Sequence, residues 1–411
     1  MGDHAVVTGA GCLSSLGIGA ETFVDELLAG QSGIAPVTRF STDGCRSHSA
    51  ALVRGFEPSR YIDPMKLRRI DEVGRLALVA CRLAAEDARL PTKTDQVGVV
   101  LGSVTAGLHS TVAHLRSLVT TGPAGVPALG FSNAIGNAAA SLCALEFGWR
   151  GPNLTVAQKQ ASALAAIVFA AGVLEQGRIS AFLCGGADDI EETFYRVHDR
   201  FRVLSPTNGQ QEASRPFDAG RNGFVLGAGG HLIVLETASS AAERGVVPYG
   251  ELLGIGACSS DCDLNAWPAE PTGMVRAMRD ALAQAGLAPA EVAAVFATAN
   301  STRTLDRVEA LALEQVFGPF GVPVVSIKGA IGEFGAAGAA SLMAALLCLR
   351  RGMLPPTLGC DRLDPACRVD VSASARPSSG RVALINATAD GGAQYCVVVR
   401  AFAPGTVERN A

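Results

Sequence analysis
Several features that would assign a function quickly are missing from this chain. None of its eleven cysteines forms a CxxC pair, and nothing of ligand type stands at suitable spacing from Cys258 and Cys262, so no metal site is expected. The odd count excludes a complete disulfide framework and points to reduced, mostly buried thiols in a cytoplasmic protein. Charge is sparse and balanced: 34 Lys+Arg against 38 Asp+Glu, a net of -4. That balance excludes a broadly basic surface, so nucleic acid is not an expected partner. Long apolar runs are also absent, because Ala161 to Leu174 and Gly335 to Leu349 reach only about 15 residues, short of the roughly 20 that span a bilayer. Both read as buried core helices, and no membrane contact is expected. No charged segment precedes an apolar one at the N-terminus, so a secretion signal is not expected either.

What is present is alternation. Short β-rich runs (Ala5-Val7, Val97-Leu101, Leu154-Val156, Ala181-Cys184, Gly230-Glu236) are separated by longer Ala/Leu-rich helical stretches. After a charged Ala/Ser-rich stretch the pattern restarts at Tyr249-Gly256, Val292-Ala297, Val324-Ser326, Arg381-Asn386 and Tyr395-Ala401. The alternation predicts an α/β fold with strands covered on both faces. Two similar halves, 1–245 and 246–411, are the simplest organisation, and no low-complexity linker parts them.

Three local signals carry chemistry. Gly9-Ala10-Gly11 follows an apolar run, yet Leu13 and Ser15 occupy the positions where a dinucleotide fingerprint needs glycine, so a plain turn after the strand is expected. The run Gly151 to Ala163 reads as a buried strand, a bend and a small-residue helix. Such a bend presents one side chain at a helix N-terminus, where free N–H groups would lower a thiol pKa. Here that side chain is Gln160, a carboxamide with no ionisable nucleophile. The third signal, Arg215 to Gly230, sets Arg215, Asp218 and Arg221 around a glycine-rich turn containing Gly223 and Gly227, and its charges are expected to pair with one another and with loop carbonyls.

That string, the Gly151-Pro152-Asn153 bend, Cys184-Gly185-Gly186-Ala187-Asp188, Ser301-Thr302 with Asp306 and Glu309, Ser326-Ile327-Lys328, Gly335-Ala336-Ala337-Gly338, and Asn386 with Gly391-Gly392 together resemble the thiolase-fold β-ketoacyl synthases, from Val6 to Val399. The resemblance implies two βαβαβ-type halves forming a five-layered α-β-α-β-α body, and no cofactor. In that family a cysteine attacks an acyl thioester, and two histidines serve decarboxylation of the extender. Carried over by position, Gln160 replaces the cysteine, Thr298 the first histidine and Glu333 the second, while Lys328 is kept. Asp390 takes the place of an aromatic gate. Lys328 and Glu333 are expected to pair and leave a satisfied, inert site.

A Gln in place of the cysteine, with both histidines gone, is similar to the chain length factor, or ketosynthase β subunit, of bacterial type II polyketide systems. The resemblance then implies a heterodimer with an active Cys-His-His ketosynthase, served by an acyl carrier protein. It places a tunnel wall at Leu108, Thr111 and Leu115, on one helical face, and an interface at Gly130, Asn133, Ala134, Gly136 and Asn137. His109 and His114 read as surface or interface histidines. The aliphatic stripe, and a bend unlike the Gly-Glu-Gln-Ala-Gly-Gly type of aromatic pathways, suggest a linear reduced or polyene chain. Two alternatives stay open at this level: a malonyl-carrier-protein decarboxylase supplying primer units, and a homodimeric pseudoenzyme that binds acyl chains or carrier protein.

Overall fold
The structure, a computed structural model, describes residues 4–126, 128–206 and 211–404. Its first half runs through β1 (Ala5–Ser14), α1 (Ala20–Leu28), α2 (Glu72–Asp87), β2 (Val97–Gly102), α3 (Leu108–Thr121), α4 (Ala138–Phe147), β3 (Asn153–Val156), α5 (Ser162–Leu174), β4 (Ala181–Asp188) and β5 (Gly229–Thr237). The second runs through β6 (Gly250–Ser259), α6 (Thr272–Ala285), β7 (Ala294–Phe296), α7 (Arg303–Phe317), β8 (Pro323–Val325), α8 (Ala337–Arg350), β9 (Val382–Thr388) and β10 (Ala393–Ala401).

The strand order is the same in both halves: β3-β2-β4-β5-β1 in the first and β8-β7-β9-β10-β6 in the second. Within each, the first three strands are parallel and the last two antiparallel. The halves join where Val6 and Val7 of β1 pair with Glu251 and Gly250 of β6.

Glycines in the joining strands explain how tightly the outer helices seat. Gly9 and Gly11 lie inside β1 rather than in a turn after it, correcting the sequence reading. A Cβ there would fall 2.3 Å and 1.9 Å from the carbonyls of Ala84 and Ala80 on α2. Gly254 and Gly256 of β6 meet Ala281 and Ala277 of α6 in the same way, at 2.1 Å and 1.9 Å. Bare backbone on the strand and alanine on the helix let the two approach as no larger pair could.

Between the sheets lie α5 and α8. Both sequences are apolar on every side, and such a helix must be enclosed; all residues from Ala337 to Leu349 are buried. With α2 and α4 over the first sheet and α6 and α7 over the second, the layers are α-β-α-β-α. One strand departs from expectation. Read as buried, β3 is a sheet edge with Asn153 and Leu154 exposed. No helix among the described residues is long and apolar enough to cross a membrane.

Candidate functional site
The bend after β3 closes as a short helical turn, Lys159–Ala161, before α5 begins at Ser162. Lys159 adopts φ +47°, and its carbonyl accepts from Ser162 Oγ at 2.6 Å, which turns the Gln160 side chain toward the second half. There it meets Asp390, 230 residues away. Gln160 Nε2 donates to Asp390 Oδ2 at 3.3 Å, and the Asp390 backbone N–H donates to Gln160 Oε1 at 3.2 Å. Lys159 also pairs with the Asp390 carboxylate and donates to Asn265 Oδ1 at 2.6 Å. The carboxamide is therefore held on both sides by a loop that the resemblance assigned to an aromatic gate.

Thr298, Lys328 and Glu333 come together behind this latch. Thr298 is buried and accepts from the Thr388 N–H through Oγ1 at 3.1 Å; its carbonyl accepts from Lys328 Nζ at 2.8 Å. Lys328 Nζ lies 2.7 Å from Glu333 Oε2, which also accepts from Asn300 Nδ2 at 2.7 Å. The expected pair is present; the Phe334 backbone N–H also favours the Glu333 carboxylate, while Glu333 Oε1 has no hydrogen bond of ordinary geometry among the described residues. Burial pushes the Glu333 carboxyl above the ordinary carboxylate range, against the pull of Lys328. Glu309 braces the same loop through the N–H groups of Thr298 and Ala299 at 2.9 and 2.7 Å and Asn386 Nδ2 at 3.0 Å. Burial raises its carboxyl too.

A cavity of about 430 Å³ opens onto Gln160, Glu333 and Asp390. Phe194, Phe201, Val203, Phe224, Phe334 and Trp267 supply its apolar walls. Neither a thiolate nor a histidine pair faces it from the aligned positions. His198 also lines the cavity, but from outside the aligned positions, where Gln160 and Glu333 present a carboxamide and a carboxylate.

The Arg215–Gly230 string keeps one part of its sequence reading, since Arg221 donates to the carbonyls of Asp218 at 2.9 Å and Arg303 at 3.2 Å, and departs from the other. Its charges do not pair with one another: Arg221 reaches Asp364 at 2.6 Å and Asp306 at 3.7 Å, while the Asp218 carboxylate accepts from the N–H groups of Gly220 and Arg362, both at 2.6 Å. Arg215 donates to the Gln211 carbonyl at 2.9 Å. Gly223, at φ +116°, and Gly227 sit where any Cβ would strike backbone, Gly227 at 2.2 Å from the Ile331 carbonyl. Through Gly227 N–H to the Glu333 carbonyl, 2.9 Å, the string positions the Glu333 loop.

Leu108, Thr111 and Leu115 share a face of α3, as the spacing predicts. None is core: Leu108 and Thr111 are half-buried, and Leu115 is 52% exposed. Gly130, Asn133 and Ala134, half-buried, adjoin that helix with the exposed Gly136 and Asn137; Thr111 Oγ1 lies 3.4 Å from the Ala134 carbonyl, and Asn133 Nδ2 donates to the Arg69 carbonyl at 2.6 Å. His114 stacks obliquely on Phe131, whereas His109 reaches inward to buried Asp189 at 2.9 Å. Cys258 and Cys262 are half-buried free thiols. Sequence reasoning missed Asp189, Asn265 and the aromatic cavity walls. Asp189 follows a motif that was recognised; Asn265 and Trp267 lie in a loop with no local signal.

The family models match in the same order as the halves: the N-terminal domain of β-ketoacyl synthases over residues 3–241 and the C-terminal domain over 249–361. The chain belongs to the β-ketoacyl synthase family. Among curated members it is 32% identical over 376 residues to the 3-oxoacyl-[acyl-carrier-protein] synthase 2 of Coxiella burnetii, covering 89% of this chain and 91% of that protein. To the synthase 2 of Synechocystis it is 30% identical over 398 residues, 95% and 96% of the two chains. Among solved structures it superposes on the ishigamide ketosynthase/chain length factor with a TM-score of 0.92 at 28% identity, covering 98% of this chain and all of that one. A β-ketoacyl synthase from Burkholderia phymatum gives 0.90 at 26%, covering 97% of this chain and all of the other. The thiolase-like ketosynthase fold expected from the motifs is the fold this chain adopts.

Proposed function
We propose that this chain is a catalytically inactive ketosynthase paralogue that heterodimerises with a Cys-His-His ketosynthase and shapes the tunnel into which the partner's acyl chain grows. The carrying observation is the Gln160 carboxamide, bonded on both sides to Asp390 where a nucleophile would stand. Thr298 and the Lys328–Glu333 pair extend the argument: neither aligned histidine position offers an imidazole to stabilise an enolate, and a carboxylate opposes the extender's own. Similarity to a ketosynthase/chain length factor supports the same reading. The synthases named among its relatives act on carrier-protein thioesters; for this chain we take the acyl carrier protein as the presenter of the growing chain.

Exposed apolar surface supports a partner. Leu115, Leu118 and Val119 on α3, Phe131, Ile135, Leu145 and Phe169 are exposed, and the edge of β3 is open among the described residues. On this reading Leu108, Thr111 and Leu115 form the wall, the residues from Gly130 to Asn137 the interface, and 1–245 and 246–411 are two ketosynthase-like halves.

Co-expression with a cysteine-bearing ketosynthase tests this. A stable equimolar complex is expected, with condensation abolished by replacing the partner's cysteine and untouched by Gln160→Ala. A homodimer that ignores such a partner would sink the heterodimer. Carbon dioxide release from malonyl-carrier protein by the isolated chain, lost in Gln160→Ala, would make it a decarboxylase instead.

A further inference from the structure
No residue of α3 is fully buried, so the face it packs on is shallow and its first turn carries much of its placement. The segment Ser103–Gly107 that delivers it is built on one buried side chain, Asp188. Asp188 Oδ1 accepts from Ser103 Oγ at 2.9 Å, from the N–H groups of Val104 and Thr105 at 2.7 and 2.9 Å, and from Thr105 Oγ1 at 3.0 Å. Its Oδ2 accepts from the N–H of Ala336 at 2.9 Å, three residues beyond Glu333. Gly335 permits this closeness, since a Cβ there would fall 2.8 Å from Asp188 Oδ2 and 2.6 Å from Val104 Cγ2.

Asp189 adds a second tie. Its N–H donates to Thr105 Oγ1 at 3.1 Å, Oδ1 takes Arg39 Nη1 at 2.9 Å, and Oδ2 faces His109 Nε2 of α3 at 2.9 Å. Both carboxylates are buried. We propose that Asp188 and Asp189, acting with His109, are positioning residues that set where α3 begins relative to the reaction-centre loop and thereby the depth of the acyl tunnel. The inference rests on the tunnel reading above.

The physics is that of a charged hub. A carboxylate with five donors is held far more rigidly than a surface side chain, because moving it forfeits several charge-assisted bonds at once. Asp188 grips the start of α3 with one oxygen and the Glu333 loop with the other, so their separation is fixed by a single rigid group. Asp189 then fixes the rotation of α3 through its second residue. Burial alone would raise the Asp189 carboxyl; His109 and Arg39 more than offset this and hold it below the ordinary carboxylate range. A wall that sits on such a helix moves when either tie is cut.

Two measurements test this. In the isolated chain, amide exchange across residues 108–121 is expected to accelerate by about tenfold in His109→Ala and Asp189→Asn, and not in Leu115→Trp. Unchanged exchange in both overturns the proposal, whatever partner is found. In the reconstituted complex with ketosynthase, carrier protein and malonyl donor, the same two variants are expected to shift the ratio of product lengths by about threefold while total malonyl consumption stays within about twofold. His109→Gln, which keeps a side-chain N–H opposite Asp189, restores the ratio. If turnover falls but the ratio holds, while Leu115→Trp still shortens the product, the carboxylates are only structural and the proposal fails with the tunnel intact. A ratio indifferent to Leu115→Trp removes the tunnel reading, and this inference with it.

Discussion

At the scale of single residues, the replaced reaction centre and one core histidine make separable expectations. A cysteine reinstated at position 160 would stand beside Asp390, whose carboxylate disfavours a thiolate, and Thr298 and Glu333 would still lack the imidazoles. Gln160→Cys is therefore expected to leave condensation by the isolated chain at background, followed as carbon dioxide and ketone formation. His231, fully buried between Phe23 and Phe334 with neither ring nitrogen hydrogen-bonded among the described residues, is pushed down to about 3 by burial. The unfolded chain takes up this proton below its ordinary value near 6.5 and the folded chain does not, so stability is lost as pH falls from there toward 3. At about pH 5 the deficit is roughly 2 kcal/mol, and His231→Leu is expected to escape it in urea unfolding compared with about pH 7.5.

At the scale of elements, α3 and β3 carry apolar side chains with nothing over them. Because Leu118 and Val119 are exposed in the chain alone, Leu118→Arg or Val119→Arg is expected to change its unfolding free energy by no more than about 0.5 kcal/mol. The same variants are expected to abolish co-purification with the ketosynthase partner; co-purification at wild-type yield would remove this face from the interface. The spacing of Leu108, Thr111 and Leu115 was legible as a helical stripe, since a period is a local property. Whether the stripe faced the core was not legible, because that depends on how far the helix stands from the sheets. The glycines of β1 show the opposite case. Two glycines two apart look like a turn from the sequence, and only the approach of α2 turns them into a packing requirement.

At the scale of the whole molecule, α5 and α8 share one enclosed core and Arg221 ties the first half to the second. A fragment ending at residue 245 would leave the Leu164 and Ile167 faces uncovered, so 1–245 is expected not to fold alone, seen as loss of near-ultraviolet dichroism and of soluble yield. The full chain is expected to unfold in one calorimetric transition. Arg221→Met, which strands Asp306 without its buried cation, is expected to cost about 3–5 kcal/mol, read from chemical denaturation.

The order of the motifs, the glutamine at the bend, the loss of both histidines and the α/β alternation are written in the chain itself, because turn chemistry, periodicity and residue type act over a few positions. The partners of those residues are not. Asp390 against Gln160, Asn265 against Lys159, Asp189 against His109 and Asp364 against Arg221 are contacts between segments 80 to 230 residues apart. Which acid meets which base across such distances is set by how two sheets and two central helices stack. That is why Arg221, expected to pair within the Arg215–Gly230 string, instead meets carboxylates of the other half, and why a carboxamide that looked merely unreactive proves to be latched.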